Sequence, residues 1–336
     1  MSKKVLVTGA GGFIGSHFLS HLLVNTDWNI VSIDSWRHKG LSERIAESVH
    51  YQKNKNRVEV FTHDLNAPIS SQLLHKIGYV DYIVNFASES HVDRSIYDPV
   101  PFVQNNVNIA LNMLEYARLV EPSKFIQIST DEVYGATDGK ITHKEWSAII
   151  PSNPYSASKA CQEALAISWW RTYGVPVILT NVMNTAGETQ SSEKYIPMVI
   201  KKILAGEKVT VHYDPKTGEP GSRFWLHARN TSDAILFMLN NVEAKLFPEI
   251  DRPERFNIVG EKQISNLGIA QMIADIMGEK LDYELVDAHS SRPGHDPHYA
   301  LCGEKLKSYG YKFPVNLHDS LEKMVKWTLE NRRWLK

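Results

Sequence analysis

The sequence predicts an α/β protein built on a doubly wound parallel sheet, followed by a smaller, mixed α/β C-terminal lobe. Three observations predict it. The chain opens as strand, glycine turn and helix. Short apolar runs then alternate with helical periodicity to about residue 184. Polar side chains gather just past the ends of those runs. Repeated strand–helix alternation implies parallel strands with helices on both faces. In such sheets ligands bind outside the carboxyl ends of the strands, so functional residues are sought there.

Lys4-Val-Leu-Val-Thr8 is the first strand, Gly9-Ala-Gly-Gly12-Phe13-Ile14-Gly15 the turn, and residues 16–23 have helical spacing. Glycines allow a tight turn and let the backbone approach a pyrophosphate, whose charge then faces the helix N-terminus. A glycine motif flanked by strand and helix meets the context that a dinucleotide fingerprint requires. Residues 29–33 form the second strand, which ends in Asp34. A carboxylate there hydrogen-bonds an adenine-ribose 2′-hydroxyl and repels a 2′-phosphate, which favours NAD over NADP. Arg37 nearby tempers that preference. Residues 57–61 are a third strand, with Asp64 beyond it placed near the adenine. Residues 80–85 are a fourth, running into Phe86, Ala87 and Ser88, where small side chains let a cofactor pass close.

A helix is expected over 101–119 and a fifth strand over 125–129, leading into Thr130-Asp131-Glu132. Two adjacent carboxyls at a strand end can act as acid and base when their surroundings push their pKa values apart. The next helix, 154–173, carries Tyr155 and Lys159 near its start, four apart and so on one face. Leu165, Ile167, Trp169 and Trp170 make it apolar on more than one face, which suits either core packing or a partner subunit. Residues 175–180 are a sixth strand.

The pattern changes after about residue 185. Residues 184–194 are polar and irregular. Strands are expected over 209–213, 223–227, 256–259 and 281–285, and helices over 195–205, 231–240, 266–277 and 317–333. Lys194, Arg223, Arg229, Arg292 and His295 are donors suited to phosphate oxygens.

Composition narrows the function. The 336 residues carry 37 basic and 38 acidic side chains. That balance gives no electrostatic case for nucleic acid or an anionic membrane as partner. No run approaches the ~20 apolar residues of a membrane span. Cys161 and Cys302 make neither a disulfide framework nor a metal cluster. With a strand directly at the N-terminus, the expectation is a soluble, cytoplasmic protein.

Thr8-Gly-x-x-Gly-x-x-Gly15 with Tyr155-x-x-x-Lys159 resembles the extended short-chain dehydrogenase/reductase family of nucleotide-sugar enzymes. Ser129-Thr-Asp-Glu-Val-Tyr-Gly135, Glu89-Ser-His-Val-Asp-Arg-Ser95 and Arg292-Pro-Gly-His-Asp296 resemble the NDP-glucose 4,6-dehydratases within it. The resemblance runs nearly end to end. It implies a Rossmann-type NAD-binding domain over 1–184 and a nucleotide-sugar lobe over 185–336, with some chain crossing between them. It implies cofactor contacts at Gly9, Gly12, Phe13, Ile14, Gly15, Asp34, Asp64, Leu65, Phe86, Ala87, Ser88, Asn105, Ser129, Tyr155 and Lys159. Substrate contacts are implied at Ser90, Thr130, Asn184, Lys194, Arg223, Asn257, Arg292 and His295, no metal, and a homodimer through the helices near 101–119 and 154–173.

The implied chemistry is an internal redox elimination. Tyr155 as phenolate, aided by Lys159 and Thr130, takes the sugar 4-hydroxyl proton as hydride passes from C4 to NAD; Glu132 takes the C5 proton, protonated Asp131 gives its proton to the departing 6-hydroxyl, and hydride returns to C6 and a proton to C5. The segment between Asn184 and Lys194 lacks the Tyr, Pro and aromatic that the family carries there. The family's Arg-Asp-Trp is Arg223-Phe-Trp225, and the 214–221 loop is enlarged. These changes fall in the half that binds the nucleotide sugar. A 4-epimerase, a 5,6-dehydratase and a non-catalytic NAD-binding regulator are the alternatives.

Overall fold

The computed structural model describes residues 2–137, 142–287, 296 and 298–336. Its centre is a seven-stranded sheet. The strands are β1 (Lys4–Thr8), β2 (Asn29–Asp34), β3 (Val58–Thr62), β4 (Tyr82–Asn85), β5 (Lys124–Thr130), β6 (Val177–Val182) and β7 (Glu254–Ile258). Their order is β7-β6-β5-β4-β1-β2-β3, and every neighbouring pair is parallel. The winding reverses between β1 and β4, which opens a crevice at the carboxyl ends of those two strands.

Alternate residues of each strand point to opposite faces. Val5 and Val7 join the cluster under α1 (Phe13–Asn25), where Phe18, Leu19 and Leu22 are fully buried. Leu6 joins the opposite cluster, with Met113 and Leu114 of α2 (Pro99–Val120) and Ala166 and Trp170 of α3 (Pro154–Tyr173). Helices on both faces explain why the strands read as continuous apolar runs. The start of α3 is dictated locally. The Asn153 side chain accepts from Ser156 N at 2.9 Å, and the Ser156 hydroxyl accepts from Asn153 N at 3.2 Å. Pro154 occupies the first turn, and Gly174 ends the helix at φ +70°. Such caps are worth ~1 kcal/mol.

Two elements of the sheet layer come from beyond residue 185. β7 pairs with β6, and α4 (Ala228–Asn241) packs beside α1, with Ile235 and Leu239 in the same cluster. The rest of the second half is a mixed lobe. Helices Tyr195–Ala205, Asn266–Met277 and Leu317–Glu330 enclose Val199, Ile200, Val209, Val211, Ile269 and Leu321. Strand Val209–Tyr213 pairs in parallel with Tyr283–Asp287.

The single strand expected over 223–227 is two. Ser222–Phe224 runs antiparallel to Gln263–Ser265, while Leu226–His227 pairs with Thr185–Ala186. Trp225 between them is buried, its ring stacked on Tyr195 and its Nε1 donating to Ile264 O at 3.3 Å. The helix expected from 231 starts at Ala228, because the His227 side chain caps Arg229 N at 3.0 Å. Among the described residues no helix is long and apolar enough to cross a membrane.

Candidate active site

The crevice at the switch point is the mouth of a cleft of about 1040 Å³. Its floor is the glycine turn. Gly9 sits at φ +67°, and a Cβ on Gly15 would lie 2.3 Å from Gly9 O, so both turn and helix need bare backbone. Gly12 caps α1 without a side-chain hydrogen bond. The first-turn N–H groups of α1 are therefore suited to an anion.

The adenosine end is built from loop residues. Asp34 Oδ2 accepts from Gly11 N at 2.8 Å, and Oδ1 accepts from Trp36 N at 2.8 Å. The carboxylate is thus oriented by main chain. Arg37 does not compete for that place. It donates to Asp64 Oδ2 at 2.7 Å and to Asn105 Oδ1 at 3.0 Å. The turn that carries Arg37 has Trp36 and His38 at positive φ.

The reactive end lies where β5 stops. Thr130 Oγ1 donates to Asp131 Oδ1 at 2.9 Å, and the chain then turns through Asp131–Tyr134. Asp131 is buried, and its Oδ2 has no hydrogen-bond partner among the described residues. Burial, then the charge of Glu132, pushes the Asp131 carboxyl up to about 7 against the Thr130 hydroxyl. Glu132 is raised too, by burial, and is eased by Asn153, whose Nδ2 donates to Glu132 Oε2 at 3.2 Å, and by the charges of Arg223 and Lys194. Neighbouring carboxyls with different partners can hold opposite protonation states. Tyr155 is held well above the ordinary phenol range by burial and both carboxylates, with Thr130 opposing. Lys159 is lowered to about 7 by burial, which the Glu163 charge opposes. Its ammonium donates to Ile128 O at 2.7 Å and Gln162 Oε1 at 2.6 Å.

The cleft gathers every expected cofactor residue: Gly9, Gly12, Phe13, Ile14, Gly15, Asp34, Asp64, Leu65, Phe86, Ala87, Ser88, Asn105, Ser129, Tyr155 and Lys159. It also gathers Thr130, Asp131, Glu132, Ser90, Asn184 and Lys194. Asn257 is a correction. It is fully buried in β7, donating to His143 O and Cys302 O at 3.1 Å each, so its amide is spent inside the protein. Arg223 does not line the cleft. It donates to Ser222 O at 2.8 Å and Asp296 O at 2.7 Å and lies 4.6 Å from the Tyr299 ring centre. Arg292 and His295 lie outside the described residues.

Three residues that sequence reasoning missed shape the cleft. Asn153 holds Glu132 as well as capping α3; an Asn-Pro pair before a helix is a readable cap signal. Arg44, buried, ties the adenosine-side loop to the 184–194 segment, donating to Gly11 O at 3.0 Å and Thr189 O at 3.0 Å. Glu193 pairs with Lys39 at 2.8 Å and His91 at 3.5 Å. Neither of the last two carries a sequence signal, because their partners come from distant loops. Among the described residues no group of His, Cys, Asp and Glu is placed to hold a metal ion.

A dinucleotide cradle that opens onto a Tyr-Lys helix and a strand-end carboxyl pair defines an extended short-chain dehydrogenase/reductase. Known proteins agree. The family model described as GDP-mannose 4,6 dehydratase matches residues 6–324. The chain is 32% identical to dTDP-glucose 4,6-dehydratase 1 of Escherichia coli K12, over 99% of this chain and 94% of that one. It is 35% identical to the low-salt glycan biosynthesis protein Agl12 of Haloferax volcanii, over 97% and 98%. A double mutant of the dTDP-glucose 4,6-dehydratase DesIV from Streptomyces venezuelae, solved with NAD bound, superposes with a TM-score of 0.85 at 31% identity, covering 99% of each chain. UDP-glucuronic acid 4-epimerase from Bacillus cereus, with UDP-glucuronic acid and NAD, superposes at 0.84 with 25% identity, covering 98% and 99%. The chain belongs to the GDP-mannose 4,6 dehydratase family, a family of sugar-nucleotide dehydratases and epimerases.

Proposed function

We propose that this protein is an NAD-dependent NDP-glucose 4,6-dehydratase, with dTDP-glucose and UDP-glucose as first candidate substrates. One observation carries the reading: two adjacent carboxyls at the end of β5, one buried, raised to about 7 and with an oxygen unpartnered among the described residues, the other held by Asn153. An epimerase has no use for such a pair. A dehydratase needs it, because one group must take a proton while its neighbour gives one.

The residues present fit the cofactor. The cradle at Gly9, Gly12 and Gly15 excludes any Cβ, and Asp34 presents a carboxylate that main-chain N–H groups orient. When held by the Gly9–Gly15 cradle and Asp34, NAD would supply a hydride acceptor for sugar C4 and, once reduced, the hydride donor for C6. The chain's own groups move the protons. Tyr155, within hydrogen-bond reach of Thr130, takes the proton of the 4-hydroxyl as phenolate; burial and the two carboxylates oppose that ionisation, and the positive charges of Lys159 and of a bound nicotinamide would favour it. Lys159 adds a positive charge on the same helix face, worth most below about pH 7 where its ammonium persists. Glu132 takes the proton at C5, acidified by the adjacent ketone, exchanges it with solvent, and gives a proton back to C5 when hydride reaches C6. Asp131, protonated, gives its proton to the 6-hydroxyl as the C6–O bond breaks, so the group departs as neutral water. Lys194 and Asn184, which line the cleft, would face the nucleotide sugar. A homodimer would use the outer surfaces of α2 and α3, where Leu111, Leu119 and Tyr173 are exposed.

The experiment is mass spectrometry of products after incubation with dTDP-glucose and UDP-glucose in deuterated water. Loss of one water with a 4-ketone and deuterium at C5 is expected. Water loss without a ketone would replace the reading with 5,6-elimination. An inverted C4 at unchanged mass would replace it with epimerisation.

A further inference from the structure

Behind the carboxyl-bearing turn lies a buried polar layer that moves no proton in the chemistry above, although the Glu163 charge favours the Lys159 ammonium. Glu163 and Arg255 are its centre, 0% and 1% exposed. Glu163 lies one helical turn beyond Lys159 on α3; Arg255 belongs to β7. Arg255 Nη2 donates to Glu163 Oε2 at 2.7 Å. Its Nη1 donates to Glu145 O at 3.0 Å and reaches the Tyr134 hydroxyl at 3.4 Å. The guanidinium also lies 4.2 Å from the Trp146 ring centre.

From this pair two paths lead to the reactive turn. In the first, the other Glu163 oxygen accepts from Asn181 Nδ2 at 2.7 Å, and the same amide donates to Thr130 O at 3.1 Å. In the second, Tyr134, the last residue of the turn, donates to Glu145 O at 2.9 Å beside the Arg255 donor. Both ends of the Thr130–Tyr134 segment are therefore tied to one buried ion pair. A buried ion pair is no guarantee of stability, since neutral replacements of similar volume are often tolerated. What a forked guanidinium adds is direction, because its donors hold several acceptors in one plane.

We propose that Arg255 and Glu163 are positioning residues for the Thr130-Asp131-Glu132 turn. They couple the seating of β7, which the second half of the chain supplies, to the alignment of the carboxyls that the first half presents. The inference rests on the dehydratase reading for what those carboxyls do.

The test compares the full-length, NAD-loaded protein with Arg255→Met, Glu163→Gln and the double variant. Each single variant strands a buried charge and is expected to lower the melting temperature. The double variant removes both charges, and its melting temperature is expected to recover. Amide exchange followed by mass spectrometry in peptides covering 128–136 should nonetheless stay about tenfold faster than in the parent protein. Peptides over 9–15 should be unchanged. Turnover of dTDP-glucose should remain about tenfold down in kcat with KM little altered.

If protection of the turn and turnover both return with melting temperature, the pair serves stability alone and the proposal fails. If the double variant stays unstable, Arg255→Lys decides, because it keeps a charge for Glu163 but cannot serve Glu145 and Tyr134 together. Faster exchange over 128–136 at the parent's melting temperature would support positioning, and parent-like exchange would overturn it. Should the parent protein turn over no nucleotide-glucose, the dehydratase reading fails, while the exchange comparison still reads the positioning.

Discussion

Asp131→Asn removes one proton and almost no volume. The carboxyl is 4% exposed and raised to about 7 by burial and by the charge of Glu132. At pH 6 it is mostly protonated, and at pH 8 mostly ionised. If it supplies the departing hydroxyl, elimination should fall about tenfold per pH unit above 7. Loss of a general acid costs on the order of 10²–10⁴ in rate. We expect a deficit of about 10³ at pH 6, shrinking at pH 8, where the parent enzyme has already lost most of its acid form. Stopped-flow absorbance of the reduced nicotinamide reads hydride transfer, and product mass reads water loss. In the variant the absorbance should rise at near-parent rate and persist, because the next step is blocked. Turnover within threefold of the parent at pH 6 would refute the assignment. So would loss of the absorbance signal alone, which would move Asp131 to the hydride step. Stability supplies a second readout. The folded state binds more protons than the unfolded chain between pH 3.8 and about 7. Stability therefore falls as pH rises through that window, by at most ~4 kcal/mol. Asparagine does not titrate, so the variant's melting-temperature gain should be absent near pH 4 and complete above pH 7.

Three further substitutions probe the frame around that carboxyl. Gly15→Ala puts a Cβ 2.3 Å from Gly9 O, a main-chain atom that cannot yield cheaply; a loss of ~2 kcal/mol and a sharp fall in bound NAD are expected, measured by calorimetry and by cofactor released on denaturation. Asn153→Ala removes the α3 cap, ~1 kcal/mol, and the amide that donates to Glu132 Oε2 at 3.2 Å. With that donor gone Glu132 rises further, so the acidic limb of the pH–rate profile should move to higher pH. Asn257→Ala should cost ~1–3 kcal/mol in urea unfolding and leave KM for the nucleotide sugar within twofold; a large KM effect without lost stability would return Asn257 to the substrate site.

What was legible divides along a physical line. A strand in a doubly wound sheet delivers its next few residues to the crevice, so Asp34, Phe86 to Ser88 and Thr130 to Glu132 could be placed once the apolar runs were found. Helix α3 was readable to its bounds because Asn153-Pro154 and Gly174 are local signals that need no partner. Asn257 was misplaced for the opposite reason. A polar residue in a strand covered on both faces looks the same whether it meets a ligand or a carbonyl. The acceptors that decide it, His143 O and Cys302 O, are supplied by other segments. Arg255 was silent on the same ground: a charge at the start of a strand reads as surface, and Glu163, the partner that makes it internal, is 92 residues away. Trp36 takes positive φ with no residue-type signal to announce it. Periodicity and turn chemistry therefore locate the groups that point outward from strand ends. The groups that stand behind them are defined by pairings between strands and helices distant in the chain. The residues expected to react were thus easier to find than those proposed to aim them, and the behaviour of Arg255 and Glu163 in substitution will measure how much of the site's alignment that hidden layer supplies.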